Sequence, residues 1–163
     1  MVRFQRMVGI ILLLLVAATP AWSLGIGEAA PDFKLTTLDG KPVTLADYKG
    51  KKPLMLVFWA TWCPVCKKEI PQVNRLAADF SPKGLAVLAV NVGVNDSAAK
   101  AAAYRDKYGL DYPVAFDEGS AVTRAFGVAG TPTVLIADKN GIVRYRGSSV
   151  PEDLGQHFAR LME

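Results

Sequence analysis

The sequence has 163 residues, of which 51% are hydrophobic and 21% are charged, with a formal net charge of +4. This length is typical of one domain, and the composition excludes an intrinsically disordered chain because enough apolar residues are present to build a core. Two of the basic residues lie in the first six positions, so the remainder of the chain carries only +2 and gives no indication of nucleic-acid binding.

The first 23 residues are typical of a secretory signal peptide. Two arginines precede an apolar run over residues 8–18, and a proline with two small residues follows, which favours cleavage after Ser23. The run is shorter than the ~17–25 residues that span a bilayer, and an uncleaved N-terminal anchor is the alternative. We therefore predict a signal over residues 1–23, one domain over 24–163, and a periplasmic or otherwise extracytoplasmic location.

Strand and helix patterns alternate along the rest of the chain. In chain order the sequence predicts a hairpin (33–45) turning at Asp39-Gly40, a buried strand (54–60), a helix from Pro64, a second buried strand (85–92), a helix from Asp96 or Ser97 to Gly109, a short strand (112–117), a short helix ending at Gly127, a strand pair (132–147) and an amphipathic terminal helix. This alternation predicts an α/β fold in which helices flank a central mixed sheet.

The only two cysteines, Cys63 and Cys66, occur in the stretch VFWATWCPVCKKEIPQ, where the predicted buried strand meets the predicted helix. The unpaired N–H groups of a helix N-terminus stabilise a thiolate, and a spacing of three places both sulfurs on one face within disulfide reach. We therefore predict that Cys63 is the exposed attacking nucleophile and that Cys66, deeper in the first turn, resolves the mixed disulfide.

Two other uses of the cysteine pair compete with exchange chemistry. Structural zinc needs four ligands, whereas the chain offers one cysteine pair and a single histidine, His157, in the last helix. We therefore predict no metal and no cofactor other than a redox-active Cys63–Cys66 disulfide. The contrasting hypothesis is a non-catalytic secreted binding module in which the two cysteines form a structural disulfide.

Several motifs together resemble a known superfamily. WCPVC after an apolar strand, followed later by GTPTVLIAD and a hairpin, is similar to thioredoxin. The longer pattern PDF…LDGK…FWATWCPVCKKEIP with FGVAGTPTVLIADKNGIV resembles the secreted, AhpC/TSA-related TlpA/ResA-type thiol–disulfide oxidoreductases from Pro31 to the end of the chain. The resemblance implies a thioredoxin-like fold with an N-terminal β-hairpin and a central α/β insertion between Val92 and Asp117.

The resemblance also implies roles for particular residues. Cys63 and Cys66 would be the redox pair, and Pro132 would be a cis-proline opposite the disulfide. The backbone of Thr131 would then be free to pair with an extended substrate segment, while Trp59 would belong to the core. The expected substrate-docking residues are Trp62, Pro64, Val65, Thr131 and Pro132.

Glu69 is a candidate for proton transfer to and from Cys66. It follows Cys66 by three residues on the predicted helix, and ResA-like proteins also place a glutamate there. Thioredoxin instead keeps a buried aspartate in the preceding strand, where this chain has Val57. The alternative is a surface glutamate paired with Lys67 or Lys68.

Val65 bears on the direction of electron flow. Strong oxidants of the superfamily carry histidine at this position, whereas valine cannot donate a hydrogen bond to the Cys63 sulfur, which favours a reductant of protein disulfides.

The resemblance implies cysteine-containing protein substrates such as apocytochrome c, a role in cytochrome c maturation, a membrane thiol transporter of the DsbD or CcdA type as electron donor, and a monomer. A disulfide-donating oxidase or isomerase and a copper-site assembly protein are alternatives. A peroxidase is disfavoured because Ala60 occupies the place of the peroxiredoxin threonine.

Overall fold

The computed structural model describes residues 24–163, so the predicted signal peptide over residues 1–23 lies outside the described part. Within that part, five strands form a mixed sheet in the order β5-β4-β3-β6-β7, and β1 and β2 form a separate hairpin. The elements in chain order are β1 (Lys34–Thr36), β2 (Pro42–Thr44), β3 (Leu54–Trp59), α1 (Pro64–Phe80), β4 (Ala86–Asn91), α2 (Ala98–Tyr108), β5 (Val114–Phe116), α3 (Ala121–Ala125), β6 (Thr133–Ala137), β7 (Val143–Gly147) and α4 (Leu154–Leu161).

The two central strands, β3 and β4, are apolar along almost their whole length because the sheet is covered on both faces. All six residues of each strand are buried, and the two strands pair in parallel. β6 pairs antiparallel to β3, and β7 pairs antiparallel to β6. The predicted α/β fold with a mixed central sheet and an N-terminal hairpin is confirmed.

The alternation of side chains along β3 separates two hydrophobic clusters, one on each face of the sheet. Leu54, Leu56 and Phe58 belong to the larger cluster, where the rings of Phe58 and Phe126 lie 5.6 Å apart. Met55 contributes to the second cluster on the opposite face. The sheet is therefore held between two cores, which fixes the positions of the strand ends.

The ends of three strands meet at one edge of the sheet. In the register of β3, Trp59 lies opposite Asn91 at the end of β4, and Phe58 lies opposite Thr133 at the start of β6. Because β3 and β4 run in the same direction and β6 runs in the opposite one, the segments after β3, after β4 and before β6 emerge together. The cysteine pair lies in the first of these segments.

The predicted central insertion is present as α2 and β5, and β5 pairs in parallel with β4. The side chain of Ser97, rather than that of Asp96, caps α2 by accepting a hydrogen bond from the Lys100 N–H at 3.3 Å. The helix ends at Gly109, which adopts the left-handed conformation with a φ of 61°. None of the helices in residues 24–163 is long and apolar enough to cross a membrane.

Candidate active site

Cys63 and Cys66 form a disulfide at the N-terminus of α1, with their Cα atoms 5.3 Å apart. Cys63 is the N-cap residue, and its sulfur accepts a hydrogen bond from the backbone N–H of Cys66 at 3.1 Å. Pro64 occupies the first position of the helix, where no N–H donor is required. The sulfur of Cys63 thus takes the place of a capping oxygen, which is the arrangement that favours a thiolate after reduction.

The prediction that Cys63 is exposed is wrong for the disulfide form. Both cysteines are only 3% exposed. The sulfur of Cys63 is bonded to that of Cys66 and lies 3.5 Å from the carbonyl oxygen of Thr131. The residues that surround the disulfide therefore control how a substrate reaches it.

Thr131 and Pro132 lie beside the disulfide, as the resemblance implied, and the peptide bond between them is cis. Pro132 is buried and Thr131 is half-buried at the point where the chain enters β6. The side chain of Thr133 donates a hydrogen bond to the carbonyl oxygen of Gly130 at 2.7 Å, which closes the preceding turn. The fold thus brings Cys63 against a segment 68 residues away in the sequence.

Three of the five large apolar side chains that are exposed in residues 24–163 belong to the cysteine-containing segment or contact it. Among the described residues, Trp62 is 51% exposed, Val65 is 49% exposed and Val94 is 46% exposed. The indole N–H of Trp62 donates to the carbonyl oxygen of Val94 at 2.7 Å, which ties the two segments together. Trp59 is buried, as predicted. Nothing in the sequence indicated Val94, because its contact with Trp62 depends on the packing of the insertion.

A hydrogen-bond network anchored on Asp96 holds the turn that precedes Cys63. The carboxylate accepts hydrogen bonds at 2.8 Å from both the backbone N–H and the hydroxyl of Thr61. It also accepts from the side-chain amide of Asn91 at 2.8 Å and from the backbone N–H of Ser97 at 2.9 Å. Burial raises the pKa of Asp96, but the hydrogen bonds from Asn91, Thr61 and Ser97 outweigh it and hold the pKa below its ordinary value. The sequence indicated Asp96 only as a possible helix cap.

Replacing Asp96 with asparagine is expected to lower the free energy of unfolding by about 1–2 kcal/mol at pH 7, because neutral acceptors bind these donors more weakly. Since the pKa of Asp96 is lowered in the folded state, its carboxylate stabilises the fold above the unfolded pKa of about 4, and this contribution is lost as the pH falls through the folded pKa. Urea unfolding at pH 7 and at pH 3 measures the difference.

The matched control is Asp79→Asn, which removes an exposed carboxylate from α1. This variant should differ from the wild type by less than about 0.5 kcal/mol at either pH. A penalty for Asp96→Asn that is the same at pH 7 and pH 3 would contradict a stabilising role for the Asp96 charge.

Glu69 lies on α1, one turn beyond Cys66, and is half-buried. Its Oε2 atom is buried and has no hydrogen-bond partner among the described residues. No ion pair joins Glu69 to Lys67 or Lys68 within residues 24–163, and the Lys67 ammonium instead lies 5.5 Å from the centre of the Tyr108 ring. The interpretation as a lysine-paired surface glutamate does not agree with this geometry, and the role in proton transfer stays a prediction.

His157 lies on α4, where its Nε2 atom is 3.0 Å from a carboxylate oxygen of Asp153. It therefore contacts an exposed carboxylate near the start of its own helix rather than either cysteine. Over residues 24–163, no three His, Cys, Asp or Glu side chains are grouped so that they could hold a metal ion.

The model of the AhpC/TSA family matches residues 26–146, which is most of the chain. The chain belongs to the AhpC/TSA family. This AhpC/TSA protein is 37% identical to the thiol-disulfide oxidoreductase ResA of Geobacillus thermodenitrificans, over 94% of this chain and 95% of the relative. It is also 38% identical to the thioredoxin-like protein YneN of Bacillus subtilis, over 83% of this chain and 85% of the relative.

Solved structures agree with the fold of the AhpC/TSA protein. A Chlorobium tepidum protein assigned provisionally as the thiol:disulfide interchange protein DsbE is 33% identical, with a TM-score of 0.76 over 86% of this chain and all of that one. The MTB protein DsbF is 30% identical, with a TM-score of 0.70 over 80% of this chain and 95% of that one. The resemblance to ResA-type proteins is confirmed, and the chain is a thiol–disulfide oxidoreductase.

Proposed function

We propose that this protein reduces disulfides of other proteins outside the cytoplasm, using Cys63 and Cys66 and no further cofactor. The observation that carries the proposal is the disulfide at the N-terminus of α1, where the Cys63 sulfur accepts the Cys66 N–H at 3.1 Å and lies 3.5 Å from the Thr131 carbonyl oxygen. The extracytoplasmic location is supported by the signal-like pattern of residues 1–23.

The reaction proceeds by two thiol–disulfide exchanges. In the reduced protein, the Cys63 thiolate attacks one sulfur of the substrate disulfide, forms a mixed disulfide and releases the other substrate sulfur as a thiolate. The Cys66 thiolate then attacks the Cys63 sulfur and releases the second substrate thiolate. Two electrons pass to the substrate, and the Cys63–Cys66 disulfide is the oxidised product. The Cys66 N–H and the positive end of α1 stabilise the attacking thiolate.

The surface around the pair supports protein substrates rather than small thiols. Trp62, Val65 and Val94 present exposed apolar area beside the disulfide, and the half-buried Thr131 offers backbone groups to an extended segment. Contiguous exposed apolar area on a folded protein commonly marks an interaction site. A substrate segment that covers these residues would bring its own disulfide to the Cys63 sulfur.

The direction of electron flow is proposed from Val65. A side chain that cannot donate a hydrogen bond to the Cys63 sulfur stabilises the thiolate less and makes the pair more reducing. Apocytochrome c before haem attachment is the proposed substrate, a membrane thiol transporter of the DsbD or CcdA type is the proposed electron donor, and the protein would act as a monomer. The kinship with ResA and YneN supports the thiol–disulfide chemistry on which these finer points are built.

The reduction potential of the Cys63–Cys66 pair tests the direction. We would equilibrate the folded domain against glutathione or dithiothreitol buffers and quantify the reduced fraction by thiol alkylation. A potential below about −220 mV is expected for a reductant, near the thioredoxin value of about −270 mV. A potential near −120 mV would instead identify a disulfide donor to folding proteins and would overturn the inference from Val65.

Replacing Glu69 with glutamine is expected to slow the second exchange by about tenfold to a hundredfold, because Cys66 would lose its proton acceptor. The measurement is the rate at which substrate leaves the mixed disulfide, followed between pH 5 and pH 9. Glu152→Gln, which changes an exposed carboxylate near α4, is the matched control and should leave the rate unaltered. The same experiment gives the rate at which the mixed disulfide forms and the pH dependence of thiol ionisation. If these and the rate of substrate release are the same in Glu69→Gln as in the wild type, Glu69 has no part in the exchange.

A further inference from the structure

A groove of about 920 Å³ opens beside the disulfide. Val65, the residue between the two cysteines, lines it next to the cis-proline, so the groove is continuous with the exchange site. The apolar residues Val128, Ala129 and Pro132 also line it. A substrate segment whose cysteine reaches Cys63 would therefore have its neighbouring residues in or at the mouth of this groove.

Two arginines, Arg124 from α3 and Arg146 from β7, also line the groove. No aspartate or glutamate is found among the described residues that line it. Neither guanidinium forms an ion pair with a carboxylate anywhere in residues 24–163. The groove thus contains two arginines that have no ion-pair partner among the described residues.

Backbone carbonyl groups hold both guanidinium groups. Arg146 donates from Nη1 to the carbonyl oxygen of Phe126 at 3.0 Å and from Nη2 to that of Gly127 at 2.7 Å. Arg124 donates from Nη1 to the carbonyl oxygen of Gly119 at 2.6 Å and is otherwise exposed. A guanidinium carries five N–H donors and stays charged at neutral pH, although burial lowers the pKa of Arg146. Donors are therefore left on both arginines for an anionic partner.

We propose that Arg124 and Arg146 recognise a carboxylate-bearing segment of the substrate protein, so that the preferred substrates carry aspartate or glutamate close to the reactive disulfide. The inference rests on the proposed function and specifies its substrate class. Planar guanidinium groups bind carboxylates with paired hydrogen bonds, and an uncompensated positive groove also attracts acidic segments before contact. The apolar lining contributes contact area without selecting for charge.

The test uses three synthetic peptides that each contain one Cys-X-X-Cys disulfide and differ only in the flanking residues. These are aspartate and glutamate in the first peptide, asparagine and glutamine in the second, and lysine in the third. The reduced protein is mixed with each peptide, and the second-order rate of peptide reduction is measured at low and high salt. We expect the acidic peptide to react roughly threefold to tenfold faster than the amide peptide at low salt, with a smaller ratio at high salt.

The variant Arg124→Gln removes one charge from an exposed position, so that folding is preserved, and should lower the acidic-to-amide rate ratio roughly twofold to fivefold. The matched control is Arg160→Gln on α4. It makes the same charge change at the opposite end of the sheet, where the carbonyl oxygen of the adjacent Leu161 accepts the Lys139 N–H just beyond β6. This control should keep the wild-type ratio.

The outcomes distinguish the inference from the proposed function. Equal rates for the three peptides, or a loss of preference in Arg160→Gln as large as in Arg124→Gln, would overturn the acidic-substrate inference and leave disulfide reduction standing. If none of the peptides is reduced while the Cys63–Cys66 pair is fully reduced at the start, the proposed function itself fails, and the inference fails with it.

Discussion

Replacing Cys63 with serine is expected to abolish disulfide reduction, with a loss in rate of at least about 10³-fold. A serine hydroxyl at this N-cap still accepts the Cys66 N–H, but it does not ionise near neutral pH and cannot form the mixed disulfide. The measurement is the rate of reduction of a peptide disulfide, with the fold checked by circular dichroism. The disulfide closes a loop with a sequence separation of only 3, so its loss should have little effect on stability.

The variant Cys66→Ser complements Cys63→Ser, because it keeps the attacking thiol of Cys63 and removes the thiol that resolves the mixed disulfide. It is expected to accumulate a covalent complex with the substrate, visible as a mass increase that dithiothreitol reverses. Cys63→Ser should form little of this complex. If Cys63→Ser instead traps the substrate and Cys66→Ser does not, the roles of the two cysteines are exchanged.

Replacing Gly93 with alanine is expected to destabilise the fold by about 3 kcal/mol. Gly93 follows β4 with a φ of 71°, and a Cβ atom there would overlap the backbone carbonyl oxygen of Asp117. No side-chain rotation relieves this overlap, because the overlapped atom belongs to the backbone. The backbone of Asp117 is also held in place, since its N–H donates to the carbonyl oxygen of Asn91 at 2.9 Å. Urea unfolding monitored by tryptophan fluorescence measures the loss.

Gly119 offers a matched control within the same molecule. Its φ is also 71°, but nothing lies within 4 Å of the position that a Cβ atom would occupy. Gly119→Ala should therefore cost only the backbone term of about 1 kcal/mol, and the difference between the two variants reports the overlap with Asp117. Equal losses would mean that the segment after β4 shifts to accommodate the new methyl group.

A substitution at Gly93 should affect the cysteine site as well as the stability of the fold, because the residues that follow Gly93 include Val94 and Asp96. Val94 accepts the indole N–H of Trp62, and Asp96 accepts the backbone and side chain of Thr61. A displacement of this segment would therefore loosen the turn before Cys63 as well as the fold. The exchange rate of Gly93→Ala, measured on its folded fraction, should fall below that of Gly119→Ala.

The elements of this protein could be predicted from local sequence because each depends on contacts between near neighbours in the chain. The apolar runs of β3 and β4 indicated buried strands, and the alternation of strands and helices indicated a mixed sheet. The Ser97 cap and the Gly109 end of α2 are likewise local, since a side-chain oxygen or a left-handed glycine acts within one turn. The cysteine spacing predicted the disulfide for the same reason.

The sequence by itself therefore determined the fold class, the family resemblance and the redox pair at the start of α1. Only the tertiary structure decided that Cys63 is buried in its disulfide form, that Asp96 holds the turn before it, and that Arg124 and Arg146 share a groove without a carboxylate partner among the described residues. These features depend on segments 20 to 68 residues apart in the chain, such as Arg146 with Phe126 and Cys63 with Thr131. The strand register brings such segments together, and no local pattern in a single sequence encodes it.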